Sequence, residues 1–240
     1  MLEPFPTDWA RAIAVVAHPD DLEYGAASAI ARWVSEGRDI RYVLVTSGEA
    51  GISGRHPDEV GPLREEEERR SAAVVGVDVV DFLGFPDGRV EADLALRRSL
   101  ALAIRRHRPD VAISINRRES WGGPSWNHPD HRATGLALLD AARDAANPWA
   151  FPDLDGPGIP GPWDGLKVVA FNASPEASHY VDVTDHIDAG VASLREHHLY
   201  LEALGDAAPD PDEFLRGNAE RVGKEAGCEL AVSFEVVFVG

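Results

Sequence analysis

The sequence is poor in cysteine, in basic residues and in long apolar runs, and each shortage excludes certain kinds of site, partner or location. Its 240 residues include one cysteine, Cys228, so no disulfide can form within the chain and a cysteine-rich zinc site is excluded. The 23 Lys and Arg residues face 41 Asp and Glu residues, which gives a net charge of −18. So acidic a chain repels phosphate, and we therefore expect neither a nucleic-acid nor a membrane partner.

The amino-terminal residues show no targeting pattern. No basic stretch precedes a long apolar segment, and the longest early apolar run, residues 12–17, is too short to cross a bilayer. The sequence therefore predicts a cytoplasmic protein, in keeping with its single cysteine. The acidic charge does not decide the oligomeric state, so a homo-oligomer stays open.

Short apolar runs alternate with helical patterns along the whole chain. Strands are predicted at residues 12–17, 41–46, 79–83, 111–115, 168–171, 180–183 and 231–239. Helices are predicted at residues 22–36, 64–75, 94–106, 133–143, 185–204 and 213–226. This alternation predicts an α/β fold, a Rossmann-like doubly wound and mostly parallel sheet with helices on both faces, formed as a single domain over residues 1–240. A stretch rich in Pro and Gly, 147–165, is predicted to be a loop or lid that shapes the substrate pocket.

Two clusters of metal-ligand residues follow predicted strands. The first strand is followed by His18-Pro19-Asp20-Asp21, and the fourth leads to His128-Pro129-Asp130-His131. In the doubly wound order these two strands are neighbours where the strand order reverses, so both clusters are expected at one mouth of the sheet. A third copy of the tripeptide, His56-Pro57-Asp58, follows no predicted strand and is interpreted as a turn.

The first cluster supplies two of the three protein ligands that a catalytic zinc requires. His18 and Asp21 are three residues apart across a tight turn, so both side chains can point at one metal ion. His131 is predicted as the third ligand, from the neighbouring loop. Ferrous iron suits the same ligands as zinc.

The residues beside these ligands are predicted to carry the proton transfers of an amide hydrolysis. Asp20 adjoins a metal ligand and is the candidate general base. His128 is the candidate acid, or a donor to the oxyanion that develops on the carbonyl. Asp130 is predicted to orient the His128 ring by accepting a proton from its second nitrogen.

These motifs resemble those of the LmbE-like, or PIG-L-type, N-acetylglucosaminyl deacetylases. The resemblance rests on Ala17-His18-Pro19-Asp20-Asp21-Leu22-Glu23 and on His128-Pro129-Asp130-His131, with softer matches at Thr46-Ser47-Gly48-Glu49-Ala50-Gly51 and Arg64-Glu65-Glu66. It extends from Ile13 to about His197. It implies zinc on His18, Asp21 and His131, a base at Asp20 and a catalytic histidine at His128.

The resemblance also implies substrates and substrate contacts. Family members deacetylate N-acetylglucosamine units on inositol, malate, lipid or antibiotic aglycones, and on simple chito-oligosaccharides. Arg64 is expected either to contact substrate hydroxyls or a phosphate, or to pair with Glu67 or Glu68 on the helix surface. Glu49 is expected either to contact the sugar or to support the loop as a turn cap. Mycothiol-pathway members carry a Tyr two residues before the catalytic histidine, where this chain has Trp126. That departure either speaks against a mycothiol-type substrate or shifts the polarisation of the carbonyl onto the zinc and His128. Trp126 is a third candidate contact.

The resulting hypothesis is a zinc-dependent hydrolysis of the N-acetyl amide of an N-acetylglucosamine-type amino sugar on a small-molecule or glycoconjugate aglycone, releasing acetate and the free amine. One alternative is a related zinc amidase that cuts a different acyl or thiol-conjugate amide. A second is a non-catalytic module that binds a sugar or a nucleotide, which requires no stoichiometric metal.

We predict that His131→Ala removes the zinc bound by this cluster, because the substitution deletes one of only three protein ligands. Elemental analysis of the purified variant measures this directly. An undiminished zinc content would mean that His131 is not a zinc ligand.

Overall fold

A computed structural model describes residues 1–154, 156 and 158–240, and its strands form one eight-stranded sheet. The strands are β1 (Glu3–Pro4), β2 (Arg11–Val16), β3 (Asp39–Leu44), β4 (Val80–Phe82), β5 (Val111–Ile115), β6 (Val168–Asn172), β7 (His179–Asp182) and β8 (Ala231–Phe238). The helices are α1 (Ala27–Ser35), α2 (Pro57–Val74), α3 (Leu94–His107), α4 (Pro129–Ala146), α5 (Ile187–Arg195), α6 (His198–Leu204) and α7 (Pro211–Ala226). Short 3-10 helices lie at Pro152–Leu154 and Gly205–Ala207.

The order of the strands confirms the predicted doubly wound, mostly parallel sheet. Across the sheet it is β1-β7-β8-β6-β5-β2-β3-β4. β2 pairs in parallel with β3 on one side and with β5 on the other, so the order reverses between β2 and β5. β8 is the exception, because it runs antiparallel to both β6 and β7.

The central strand β2 is buried on both faces, which explains its uninterrupted apolar sequence. Ile13 and Val15 pack in a core shared with α3 and α4, whereas Ala14 and Val16 pack on the opposite face with α1 and α5. Helices therefore cover both faces of the sheet, as predicted. In the part of the chain that the structure describes, none of them is both long and apolar enough to cross a membrane.

Two predicted segments differ from the observed elements. The single helix predicted over 185–204 is two helices, α5 and α6, with His197 buried at the turn between them. The tripeptide His56-Pro57-Asp58 is the N-terminus of α2 rather than an isolated turn. His56 is its N-cap, and its Nδ1 accepts a hydrogen bond from the Asp58 backbone N–H at 3.3 Å.

The loop at 147–165 lies at the amino-terminal edge of the sheet. Two of its residues, Asp155 and Pro157, lie outside the described residues. Of the rest, Trp163 donates a hydrogen bond to the carbonyl of Pro109, just before β5, and stacks under Arg11, the first residue of β2. The described residues of this loop therefore lie away from the carboxyl ends of the strands, where both ligand clusters stand, contrary to the expectation of a lid.

Arg105 on α3 holds the start of this loop against the end of α4. Its side chain is fully buried, and its guanidinium donates hydrogen bonds to the carbonyl oxygens of Asp144, Ala145, Asn147 and Leu154, at 2.9–3.4 Å. Replacing it with an apolar residue would leave these buried acceptors without donors.

We predict that Arg105→Leu lowers the free energy of unfolding by about 3 kcal/mol, because several buried carbonyls lose their partner together. Urea unfolding measures the difference. Arg106→Leu is the matched control, since Arg106 is the exposed neighbour on the same helix. Equal effects for the two variants would contradict this role for Arg105.

Candidate active site

The two ligand clusters meet at the carboxyl ends of β2 and β5. The first follows β2 directly and turns toward α1, and the second caps and opens α4. Pairing of Ala12 with Val111 and of Ala14 with Ile113 aligns the two strands, so their following loops share one edge of the sheet. Both clusters line the same cavity, whose volume is about 970 Å³.

The three predicted metal ligands converge on one point. Nε2 of His131 lies 3.0 Å from Oδ1 of Asp21 and 3.3 Å from Nδ1 of His18. Nδ1 of His18 lies 3.6 Å from Oδ2 of Asp21. Ligands about 2.1 Å from a tetrahedral zinc are about 3.4 Å from one another, so this donor set fits the metal.

The charges around His18 also suit a cation. Burial acts to lower the pKa of His18, but Asp21, followed by Asp130 and Asp87, raises it well above its usual value. Burial likewise acts to raise the pKa of Asp21, but His131 and His18 hold it well below its usual range. The cluster therefore stabilises positive charge where the three ligands meet.

Two carboxylates orient His18 from its other side. Nε2 of His18 lies 3.1 Å from Oδ1 of Asp87 and 3.3 Å from Oδ2 of Asp130. Asp130 also accepts hydrogen bonds from the backbone N–H groups of Gly88 and Val90, at 2.7 and 3.2 Å. Such contacts fix the tautomer and the ring plane of a metal-binding histidine.

This arrangement differs from the predicted role of Asp130. Its carboxylate contacts His18 instead of holding the His128 ring, because α4 begins here and turns the side chain toward the loop that follows β4. His128 is the N-cap of α4, and its Nδ1 accepts a hydrogen bond from the Asp130 backbone N–H at 3.3 Å. His128 is exposed, and its ring stacks edge-on against His18 at 4.9 Å between centroids.

Asp20 lies beside the ligands in a strained backbone conformation. Its φ angle is +97°, in the left-handed region, and its side chain is buried. Its Oδ1 lies 3.4 Å from Nη2 of Arg64. Burial raises the pKa of Asp20 to about 6, although Arg64 acts to lower it. A carboxylate with these properties is suited to accept a proton near neutral pH.

The predicted substrate contacts have different surroundings. Arg64 lines the cavity, but it is almost fully buried and donates hydrogen bonds to the carbonyl oxygens of Gly48 and Pro19. Glu49 accepts a hydrogen bond from the Asp87 backbone N–H at 2.8 Å and is not among the residues that line the cavity. Glu49 thus supports the loop that carries Asp87.

Trp126 is also outside the cavity lining. It is 64% exposed, and the guanidinium of Arg132 stacks on its ring at 5.2 Å. Trp121 lines the cavity instead, edge-on to His131 at 5.7 Å between ring centroids. The sequence predicted Trp126 as the contact. In the structure, Ser120 and Trp126 pair in an isolated β-bridge, and the turn between them brings Trp121 to the ligands.

Sequence reasoning missed two positioning groups. Asp87 follows β4 in the segment Gly84-Phe85-Pro86-Asp87-Gly88, at the carboxyl end of a parallel strand, and that position was the available signal. Asn127 is fully buried, and its Oδ1 accepts a hydrogen bond from Nδ1 of His131 at 2.9 Å. An asparagine within a loop carries no comparable signal, since its role depends on the fold of that loop.

The chain is similar to several known proteins along most of its length. A protein-family model described as GlcNAc-PI de-N-acetylase matches residues 13–142. Diacetylchitobiose deacetylase of Thermococcus kodakarensis is 28% identical, covering 98% of this chain and 85% of the relative. A 1D-myo-inositol 2-acetamido-2-deoxy-alpha-D-glucopyranoside deacetylase of Mycobacterium sp. (strain KMS) is 30% identical, covering 78% and 73%. The solved N,N'-diacetylchitobiose deacetylase of Pyrococcus horikoshii superposes with a TM-score of 0.84 at 24% identity, covering 96% and 84%.

We predict that Asp130→Ala weakens zinc binding by about 10- to 100-fold, because His18 loses one of the two carboxylates that orient it. Competition with a zinc chelator measures the affinity. Asp140→Ala is the control, because Asp140 is exposed on the same helix and contacts Arg97 on α3. Unchanged affinity in Asp130→Ala would mean that Asp87 alone orients His18.

Proposed function

This chain belongs to the GlcNAc-PI de-N-acetylase (PIG-L) family, and we propose that it hydrolyses the N-acetyl amide of an N-acetylglucosamine-type amino sugar, releasing acetate and the free amine. The observation that carries the proposal is the meeting of His18, Asp21 and His131 in a cavity with Asp20 beside them. A module that only binds a sugar has no need of this donor set.

The metal is the first requirement of the proposal. His18, Asp21 and His131 would hold zinc, or ferrous iron, which accepts the same nitrogen and oxygen ligands. When bound, such an ion acts as a Lewis acid toward a carbonyl oxygen and lowers the pKa of water. Asp87 and Asp130 would keep His18 oriented with Nδ1 toward the ion, since both carboxylates lie at Nε2.

Asp20 is assigned as the general base. Its raised pKa, about 6, leaves it ionised at neutral pH while keeping it basic enough to take a proton from the attacking water. Arg64 holds one carboxylate oxygen at 3.4 Å, which leaves the other available for the proton.

His128 is assigned to the opposite side of the reacting amide. Partial burial lowers the pKa of its ring, and the neighbouring rings of His18 and His131 lower it further. A neutral imidazole can donate a hydrogen bond to the developing oxyanion from Nε2, because Nδ1 already accepts one from the backbone of Asp130. The leaving amine then takes its proton from Asp20, which has just received one from the attacking water.

The cavity favours a substrate with a polar sugar and an apolar extension. Near the ligands its walls include Arg64, Asp87 and Trp121, which suit the hydroxyl groups and the apolar face of a sugar ring. Helix α7 adds the apolar side chains of Phe214, Leu215, Ala219 and Val222 to the lining, together with the polar Asn218, Arg221 and Glu225. The apolar side chains of α7 favour, as a second candidate, a related zinc amidase that removes an acyl group longer than acetyl, including from a thiol conjugate.

We predict that Asp20→Asn lowers kcat for acetate release from N,N'-diacetylchitobiose by roughly 10²- to 10⁴-fold, the usual contribution of a general base. Asparagine tolerates a positive φ angle, so the turn should be retained. Bound zinc, measured by elemental analysis, should equal that of the unmodified protein.

The matched control is Asp58→Asn, in the copy of the tripeptide that caps α2, where the side chain is exposed. It should leave kcat unchanged. Normal turnover in Asp20→Asn would remove the base assignment. Release of longer acids in preference to acetate, from matched N-acyl glucosamines, would instead select the second candidate function.

A further inference from the structure

A second cluster of ligand-type side chains lies beneath the loop that carries Asp20. Glu23 comes from the turn before α1, Glu68 from α2, and His197 from the junction of α5 and α6. All three are buried, at 1%, 0% and 0% exposure. One ligand atom from each lies within 4.8 Å of the others.

Four polar atoms of this cluster have no hydrogen-bond partner among the described residues. Neither ring nitrogen of His197 has a hydrogen-bond partner among the described residues, and the same holds for Oε2 of Glu23 and Oε1 of Glu68. Nε2 of His197 lies 3.6 Å from Oε2 of Glu23 and 3.7 Å from Oε2 of Glu68, which is too far for a hydrogen bond. Burying an imidazole and two carboxylates with these atoms unpaired costs free energy. A positively charged ligand between the three side chains would offset that cost.

We propose that Glu23, Glu68 and His197 form a second metal site, which binds a structural divalent cation of the zinc class. The ligand atoms are separated by 3.6 and 3.7 Å, close to the 3.0–3.6 Å between the ligand atoms of His18, Asp21 and His131. Imidazole together with carboxylate favours zinc over calcium or magnesium, which prefer oxygen ligands alone. A divalent cation also neutralises the two carboxylates, which no arginine or lysine contacts within 4.0 Å in the described part of the chain.

The surroundings of the cluster fit a closed structural site. Each carboxylate has one hydrogen bond that holds it in place. Ser71 donates its hydroxyl hydrogen to Oε1 of Glu23 at 2.6 Å, and the Asp20 N–H donates to Oε2 of Glu68, the oxygen that faces His197, at 3.3 Å. The Tyr42 hydroxyl is buried and without a partner among the described residues. Burial, and then Glu23 and Glu68, raise the pKa of Tyr42 well above its usual value, so this hydroxyl stays neutral.

The position of the site indicates what the ion would do. Asp20, whose φ angle is +97°, donates a hydrogen bond from its backbone N–H to Glu68, and Glu23 belongs to the same loop. A cation that joins Glu23, Glu68 and His197 would tie this loop to α2 and to the junction of α5 and α6. It would therefore stabilise the strained turn from which Asp20 enters the cavity, without touching the substrate.

The test counts zinc per chain by elemental analysis after expression in zinc-supplemented medium and gel filtration. With both sites filled, the unmodified protein should hold about two zinc ions, and His18→Ala and His197→Ala should each hold about one. The double variant should hold none. Glu66→Gln, on the same helix as Glu68 but with an exposed side chain paired with Arg70, is the matched control and should hold about two.

The counts also separate this proposal from the proposed function. Complete loss of zinc in His18→Ala, or an undiminished count in His197→Ala, would overturn the second site and mean that protons neutralise the cluster. A third outcome is one zinc ion in the unmodified protein, which His18→Ala retains and His197→Ala loses. That outcome would support the second site and would overturn the metal requirement of the proposed deacetylase. Should His197→Ala not fold, Glu68→Gln replaces it, since the amide has the same shape and lacks only the charge.

Discussion

The parallel pairing of β2 with β5 is the interaction on which the rest of this molecule depends. Hydrogen bonds along Ala12–Ala14 and Val111–Ile113 place the two strands side by side where the strand order reverses. Residues 18–21 and 128–131 are more than a hundred positions apart in the chain, and this pairing brings Nε2 of His131 within 3.0 Å of Asp21 and 3.3 Å of His18. The apolar packing on both faces of β2 stabilises the pairing, so the core and the site are not independent.

Placing so many carboxylates near the mouth of the sheet requires compensating positive charge. Asp21, Asp87 and Asp130 all contact His18, and Asp20 contacts Arg64. Arg64 in turn holds the carbonyl oxygens of both loops beside it and stacks on Tyr200 at 4.2 Å. One buried arginine therefore supports the base and the backbone around it, which is why its role in the structure is broader than a substrate contact. Beneath the same loop, no arginine of the described residues pairs with the carboxylates of Glu23 and Glu68, which lie beside His197.

The two tripeptides His56-Pro57-Asp58 and His128-Pro129-Asp130 have the same local structure but different surroundings. Both cap a helix in the same way, with the histidine Nδ1 accepting from the backbone N–H of the aspartate at 3.3 Å and proline at the first helical positions. Asp58 points into solvent, whereas Asp130 is buried against His18. The same local conformation is thus a surface cap at α2 and part of the candidate active site at α4. The difference lies in the strand that precedes each copy. The second copy follows β5, which pairs with β2 at the point where the strand order reverses, whereas the first follows β3, on the other side of β2.

The sequence by itself determined the α/β architecture, since buried parallel strands need uninterrupted apolar runs and their alternation with helices leaves few topologies. It also determined which residue types could hold a metal, because a single cysteine leaves only histidine and carboxylate ligands. The position of the two clusters, after the first and fourth predicted strands, indicated where they meet. Tertiary structure alone decided the contacts made by groups distant in sequence. It turned Asp130 toward His18 rather than His128, brought Asp87 to the same ring, placed Trp121 instead of Trp126 in the cavity, and set the loop near residue 150 against the opposite edge of the sheet. Spacing along the chain reports which residues share a turn, but the direction of a side chain across a loop depends on the elements that pack around it.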